Sequence, residues 1–181
     1  MKNTKYAAKL LRYYSILSTT KAGSGHPTSC LSSADLMASL FFDGYFKYDI
    51  ENPDNLENDR LIFSKGHAAP LYYSMWALAG GIKHEELETL RLLNSRLEGH
   101  PTMKFPFTEV PTGSLGQGLS VGVGMALSAK YLDKTASRTF VLMGDSEVAE
   151  GSVWEAMEIA SHYHLDNLVG ILDCQQTRSK R

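Results

Sequence analysis

The sequence predicts an α/β fold, a parallel sheet flanked by helices, and three observations carry that prediction. Helical and strand patterns alternate along the chain, with no internal repeat and no interdomain linker. Two short apolar runs, 139–143 and 167–173, are separated by one helical segment, the spacing of parallel strands joined by a crossover. Each apolar run ends on polar residues, at the strand ends where parallel sheets place their ligands.

The first helix is expected over 4–20, with Ala7, Leu10, Leu11, Tyr14 and Leu17 on one face. This segment is basic and free of acids before Asp35, a pattern shared with targeting peptides. It holds a single Arg and runs straight into Gly23 and His26, so an ordinary helix is the preferred reading. A second helix is expected over 32–45, capped by Ser32 or Ser33 with Asp35 in its first turn. Residues 46–58 are a polar, turn-rich loop, and 60–64 a buried strand leading to Lys65-Gly66-His67. Helices follow near 68–79 and 84–93, then a long irregular stretch, 94–113, with Pro101, Pro106 and Pro111. A Gly-rich helix over 114–132, a strand over 139–143, a helix over 150–163 and a strand over 167–173 complete the reading.

The chain has 181 residues, enough for one domain with a core. Apolar residues at 43% against 21% charged mark a globular chain and exclude a disordered one. A net charge of −2 offers no global attraction for nucleic acid. No apolar run approaches the ~18 residues of a membrane span. Cys30 and Cys174 make neither a disulfide framework nor a metal pattern, so a cytoplasmic location is expected.

Asp145 is the strongest site candidate, a carboxylate directly after a buried strand. It reads equally as a ligand for a metal-held phosphate group or as a cap at a strand–helix turn. Gly113, Gly116 and Gly118 open the Gly-rich helix, where helix amino termini attract phosphate. Their spacing is neither a dinucleotide fingerprint nor a P-loop, and packing between helices through Gly122, Gly124 and Ala126 is the structural alternative. His26, His67 and His100 each follow a glycine in a loop and could converge on one pocket, which periodicity alone cannot establish.

Five segments in order resemble successive motifs of the transketolase family. They are Ser24-Gly-His-Pro-Thr-Ser29, Ser64-Lys-Gly-His-Ala68, Gly99-His-Pro101, Thr112-Gly-Ser-Leu-Gly-Gln-Gly118 and Gly144-Asp-Ser-Glu-Val-Ala-Glu-Gly-Ser-Val-Trp-Glu-Ala156. The resemblance spans nearly the whole chain and is to the short-loop type, which includes amino-terminal subunits of split bacterial enzymes. It implies a thiamine diphosphate-binding fold whose carboxyl-terminal part is missing, and transfer of a two-carbon ketol unit between sugar phosphates. It further implies thiamine diphosphate with Mg2+ or Ca2+ as cofactors, a complementary carboxyl-half chain carrying the pyrimidine-binding domain, and a homo- or hetero-oligomer.

By the same resemblance Asp145 is a metal ligand, and Gly144, Ser146 and His67 lie by the diphosphate. Ser29, Gly113, Ser114 and Leu115 line the thiamine. His26 and His100 face substrate oxygens and assist proton transfer, and Glu150 and Glu155 belong to an acidic cluster at the interface between subunits. A non-catalytic fragment or docking partner, and another thiamine diphosphate enzyme of the deoxyxylulose phosphate synthase kind, are the alternative readings.

Two departures from the family pattern stand out. Ser146 replaces a glycine, which is tolerable unless φ must be positive. Gln175 stands where an Asn metal ligand is expected, with the backbone carbonyl of Thr177 two positions on as the further expected ligand; the longer side chain of Gln175 moves its amide by roughly 1.5 Å. The whole of 1–181 reads as one incomplete diphosphate-binding domain with an atypical tail at 174–181. That tail can be encoded by TGT CAA CAG ACT CGG TCA AAG CGA, and without its first base the string reads Val-Asn-Arg-Leu-Gly-Gln-Ser. A one-base insertion after the Asp173 codon is therefore hypothesised. Sequencing the gene is expected to show that removing one base restores Asn; if no single-base shift does so, the hypothesis fails.

Overall fold

The computed structural model describes residues 4–174, so Gln175 and Thr177 lie outside the described residues. In chain order the elements are α1 (Thr4–Ala22), α2 (Pro27–Phe42), β1 (Arg60–Phe63), α3 (Ala69–Ala79), α4 (Gln117–Leu127), β2 (Thr139–Gly144), α5 (Gly151–His162) and β3 (Leu168–Asp173). The three strands pair in parallel in the order β1-β2-β3. Arg60 aligns with Thr139, Thr139 with Leu168, and Gly144 with Asp173. Among the described residues, no helix is long and apolar enough to cross a membrane.

Strand alternation divides the core into two layers, because successive side chains leave a strand on opposite faces. Leu61, Phe63, Phe140 and Leu142 face one layer, shared with Leu11 of α1, Met37 of α2 and Trp76 of α3. Ile62, Val141 and Met143 face the other, shared with Leu119 and Val123 of α4 and Val153 of α5. Fully buried parallel strands carry apolar residues on both faces, which is why β1 and β2 read as continuous apolar runs.

Four expectations are corrected. The second helix begins at Pro27, not residue 32, with His26 as its N-cap residue. Proline's fixed φ suits the first helical position, so the start falls there and Ser32 and Ser33 lie inside the helix. The helix near 84–93 shrinks to a 3-10 turn, His84–Thr89. Leu90 leaves the helical region at ψ 125° and Arg91 takes φ +61°, which ends any helix, and Leu92 and Leu93 project to solvent. The Gly-rich helix starts at Gln117, since Gly116 sits at φ +78°, and a π turn carries it on to Asp133. Gly122 serves the sheet and not a neighbouring helix: a Cβ there would lie 2.7 Å from Val141 Cγ2, while Gly124 faces open space.

Trp76 anchors the larger core. It is 1% exposed, stacks on Phe107 at 4.2 Å between ring centroids, and meets Tyr48 and Phe41 edge-on at 4.8 and 5.0 Å. Trp76→Ala removes the common partner of all three rings. The expected loss is about 3–5 kcal/mol of unfolding free energy, read from urea denaturation. A loss below about 1 kcal/mol would show that the ring cluster is dispensable.

Candidate active site

The carboxyl ends of β1 and β2 carry the residues singled out in the sequence. Past Phe63 the chain presents Ser64, Lys65, Gly66 and His67; past Gly144 it presents Asp145 in a 3-10 turn, Asp145–Ala149. Glu147 in that turn is 1% exposed. Its carboxylate accepts the Gly144 N–H at 2.9 Å, the Gly116 N–H at 3.0 Å and the Ser64 hydroxyl. The Gly118 N–H donates to Ser64 Oγ at 3.1 Å. One buried acid thus joins the ends of two strands to the start of α4.

A second buried group joins β1 to β3. Lys65 Nζ lies 2.5 Å from Asp173 Oδ2, with side chains 2% and 6% exposed. Ser32 and Ser33 donate their hydroxyls to the same oxygen at 2.5 and 2.6 Å, and Lys65 also donates to the Ser29 carbonyl at 3.2 Å. Burial raises the Asp173 carboxyl, but the hydrogen bonds from Lys65, Ser32 and Ser33 outweigh it and hold the group below its ordinary value.

The three loop histidines converge. His26 and His67 stand 5.3 Å apart between ring centroids, at 67°. A Cβ on Gly66 would lie 2.9 Å from His100 Cδ2 and 3.1 Å from the Gly113 nitrogen, so His100 closes on a gap that only glycine leaves open. Gly113, at φ +145°, lies against the same ring. Thr112 Oγ1 donates to the Phe63 carbonyl at 2.7 Å and ties this loop to β1. Burial first, then the charges of Lys65, His26 and His100, push the His67 imidazole below its ordinary value. Burial, then Arg91 and His26, do the same to His100.

Other expected residues take definite places. Ser29 is buried beside Lys65, and Ser114 and Leu115 are exposed, Leu115 by 49%. Asp145 is half-buried, and its Oδ1 accepts the Ser146 N–H at 2.9 Å. It does not cap α5, whose N-cap residue is Glu150. Ser146 is not among the residues with positive φ, so a side chain fits there without backbone strain. Glu150 packs on Gly116, where a Cβ would lie 2.8 Å from its own, and Glu155 is exposed further along α5. Among the described residues, no group of three or more His, Cys, Asp or Glu side chains is arranged to hold a metal.

Sequence reasoning missed Ser64, Lys65, Glu147 and Asp173 as the polar frame of this site. A signal existed for three of the four, all but Ser64. Lys65 and Asp173 are opposite charges at the ends of two apolar runs, although β3 itself lies largely exposed, and Glu147 stands three residues after Gly144, a spacing that lets an acid reach back to a backbone N–H.

Residues 3–178 match the family described as transketolase, thiamine diphosphate binding domain. Human transketolase is 56% identical over 169 residues, covering 93% of this chain and 27% of that protein. One of the subunits of the apulose-4-phosphate transketolase of Phocaeicola vulgatus is 44% identical over 153 residues, covering 84% of this chain and 54% of that protein. Among solved structures, the transketolase of Leishmania mexicana aligns with a TM-score of 0.90 at 31% identity, covering 97% of this chain and 28% of that one. The chain thus spans about a quarter of the length of the transketolases it matches. From its strand ends to its histidine loops, this chain belongs to the transketolase family, as a thiamine diphosphate-binding domain.

Proposed function

We propose that this chain is the diphosphate-binding part of a cytoplasmic transketolase that moves a two-carbon ketol unit between sugar phosphates. It would act with Mg2+ or Ca2+ and with a complementary chain that supplies the pyrimidine-binding domain. In this reading 1–181 belongs to one diphosphate-binding domain, and the Phocaeicola vulgatus relative, a named subunit, is the precedent for a division between chains. The observation that carries it is the convergence of His26, His67 and His100 on a glycine-walled gap beside the ends of β1 and β2.

The residues present fit the cofactor. Gly66 and Gly113 let the His100 loop close on the end of β1, which a Cβ at Gly66 would prevent. Asp145, on the end of β2, suits a magnesium ion that takes one or two carboxylates and completes its shell with phosphate oxygens and water. Gly144, Ser146 and His67 would hold the diphosphate, and Ser29, Gly113, Ser114 and Leu115 the thiamine. Bound thiamine diphosphate supplies the carbanion chemistry; the chain supplies position and charge. His26 and His100 would bind the sugar hydroxyls, and the lowered value of His100 favours its neutral imidazole, the form whose ring nitrogen accepts a proton. Glu150 and Glu155 would join an acidic cluster at the interface between subunits.

Turnover and binding test this reading. The purified chain with magnesium and cofactor is expected to transfer little or no ketol unit, and a complementary carboxyl-half chain is expected to restore transfer. Asp145→Asn is expected to weaken magnesium-dependent cofactor binding at least about tenfold, ~1.4 kcal/mol, by calorimetry. Clear turnover by the chain alone would overturn the need for a partner. Unchanged binding by Asp145→Asn would remove Asp145 from the metal site.

The histidine electrostatics give a separate expectation. His67 and His100 lie below the ordinary value of about 6.5 in the folded chain, so the unfolded chain binds more protons in that range. Their contribution is present above the unfolded value and is lost as pH falls through the lowered folded values. Urea midpoints measured at about pH 7.5 and about pH 5.5 should fall for the native chain and fall less for the His67→Gln/His100→Gln variant. Equal falls would assign the acid sensitivity to other groups.

A further inference from the structure

Arg91 has no part in the assignments above, yet it touches the two loops that carry His26 and His100. Its backbone occupies φ +61°, a region that L-residues with long side chains rarely enter. The Arg91 N–H donates to the Leu97 carbonyl at 2.8 Å, closing the loop immediately before Gly99-His100. That twist brings the guanidinium across the site. Arg91 Nη1 donates to Ser24 Oγ at 3.1 Å, and Ser24 lies between Gly23 at φ +59° and Gly25 at φ +140°, two residues before His26.

The flat face of the same group lies on Gly99. A Cβ there would stand 2.6 Å from Arg91 Nη2, 2.7 Å from Cζ and 2.9 Å from Nε, so residue 99 must be glycine for the guanidinium to seat. The far side of this segment is fixed as well: the Tyr73 hydroxyl donates to the Glu98 carbonyl at 3.0 Å and to the His100 carbonyl at 3.3 Å. The Gly23–Gly25 loop is tied by its backbone to the end of α1, Gly23 N–H to the Thr20 carbonyl and Ser24 N–H to the Thr19 carbonyl at 3.2 Å each, and Arg91 links its Ser24 side chain to the Gly99 segment. A planar fork with five donors is suited to this bridging task, where an ammonium is not.

We propose that Arg91 is a positioning residue whose guanidinium clamps the Ser24 loop to Gly99 and so sets the spacing of His26 and His100. Its relevance to sugar hydroxyls rests on the ketol-transfer reading; the clamp itself does not. The charge has a second effect, since Arg91 opposes protonation of His100. The charged or titratable groups acting on His100 are Arg91 and His26, and His67 stands in the same cluster.

Two variants of the full chain separate clamp from charge. Arg91→Met removes both, while Gly99→Ala keeps the charge and displaces the guanidinium, a flexible end that can swing away without unfolding the chain. Hydrogen exchange at the Gly25 and His26 amides is expected to accelerate in both variants, with helix content unchanged by circular dichroism. Imidazole resonances are expected to show an upward shift of the His100 midpoint in Arg91→Met, with exposed His162 as an unchanged control. In the complemented enzyme, Arg91→Met should lower kcat/KM and move the acid limb of the profile to higher pH, and Arg91→Lys should restore the limb but not kcat. Unaltered amide exchange in both variants would overturn the clamp, whatever His100 does. A wild-type complex without ketol transfer would sink the functional reading and leave the exchange result to decide the clamp.

Discussion

A carboxylate taken out of water at the end of a parallel sheet must find donors, and Glu147 finds three on three different segments. Hydrogen bonds to an ionised acceptor are about twice as strong as neutral ones, and a buried polar group left unmatched costs about 1–3 kcal/mol. Ser64, Gly116 and Gly144 are therefore held in one geometry. The loops that carry His67, Gly113 and Asp145 spring from those three anchors, so the site inherits its shape from an acid that faces away from solvent.

Lys65 and Asp173 impose a second constraint across the sheet. Removing one partner of such a buried pair typically costs about 3–5 kcal/mol, because the other charge is stranded. Ser32 and Ser33 complete the shell around the acid, and the Ser29 carbonyl shares the ammonium. The first turns of α2, directly after His26, are thereby bound to the end of β3. Polar bonding of this kind is directional, where apolar packing is not. It lets a loop-built pocket keep a defined spacing although its histidines sit on three separate connections.

The sheet was legible because a strand buried on both faces has few residue choices. Leu61-Ile62-Phe63 and Phe140-Val141-Leu142-Met143 leave little room for another reading. The three histidine loops were legible through their short motifs, glycine before histidine in each case. What could not be read was pairing at long range. Ser32 and Ser33 look like helix caps, a local role, and only the fold reveals that they serve an acid 141 and 140 residues away. The segment over 84–93 misled in the opposite sense: Leu87 and Leu90 meet the core, but Leu92 and Leu93 have no face to pack against, and a backbone twist at Arg91 wins.

The unequal settings of the two tryptophans have a practical consequence. Trp76 is enclosed by rings at 1% exposure, whereas Trp154, on the outer side of α5, is 58% exposed and donates its indole N–H to the Val148 carbonyl at 2.8 Å. One fluorophore is shielded from aqueous quenchers and the other is open to them. Iodide would dim the outer indole selectively, so loss of that quenching reports coverage of the helix that bears Glu155, while a red shift of the inner one reports melting.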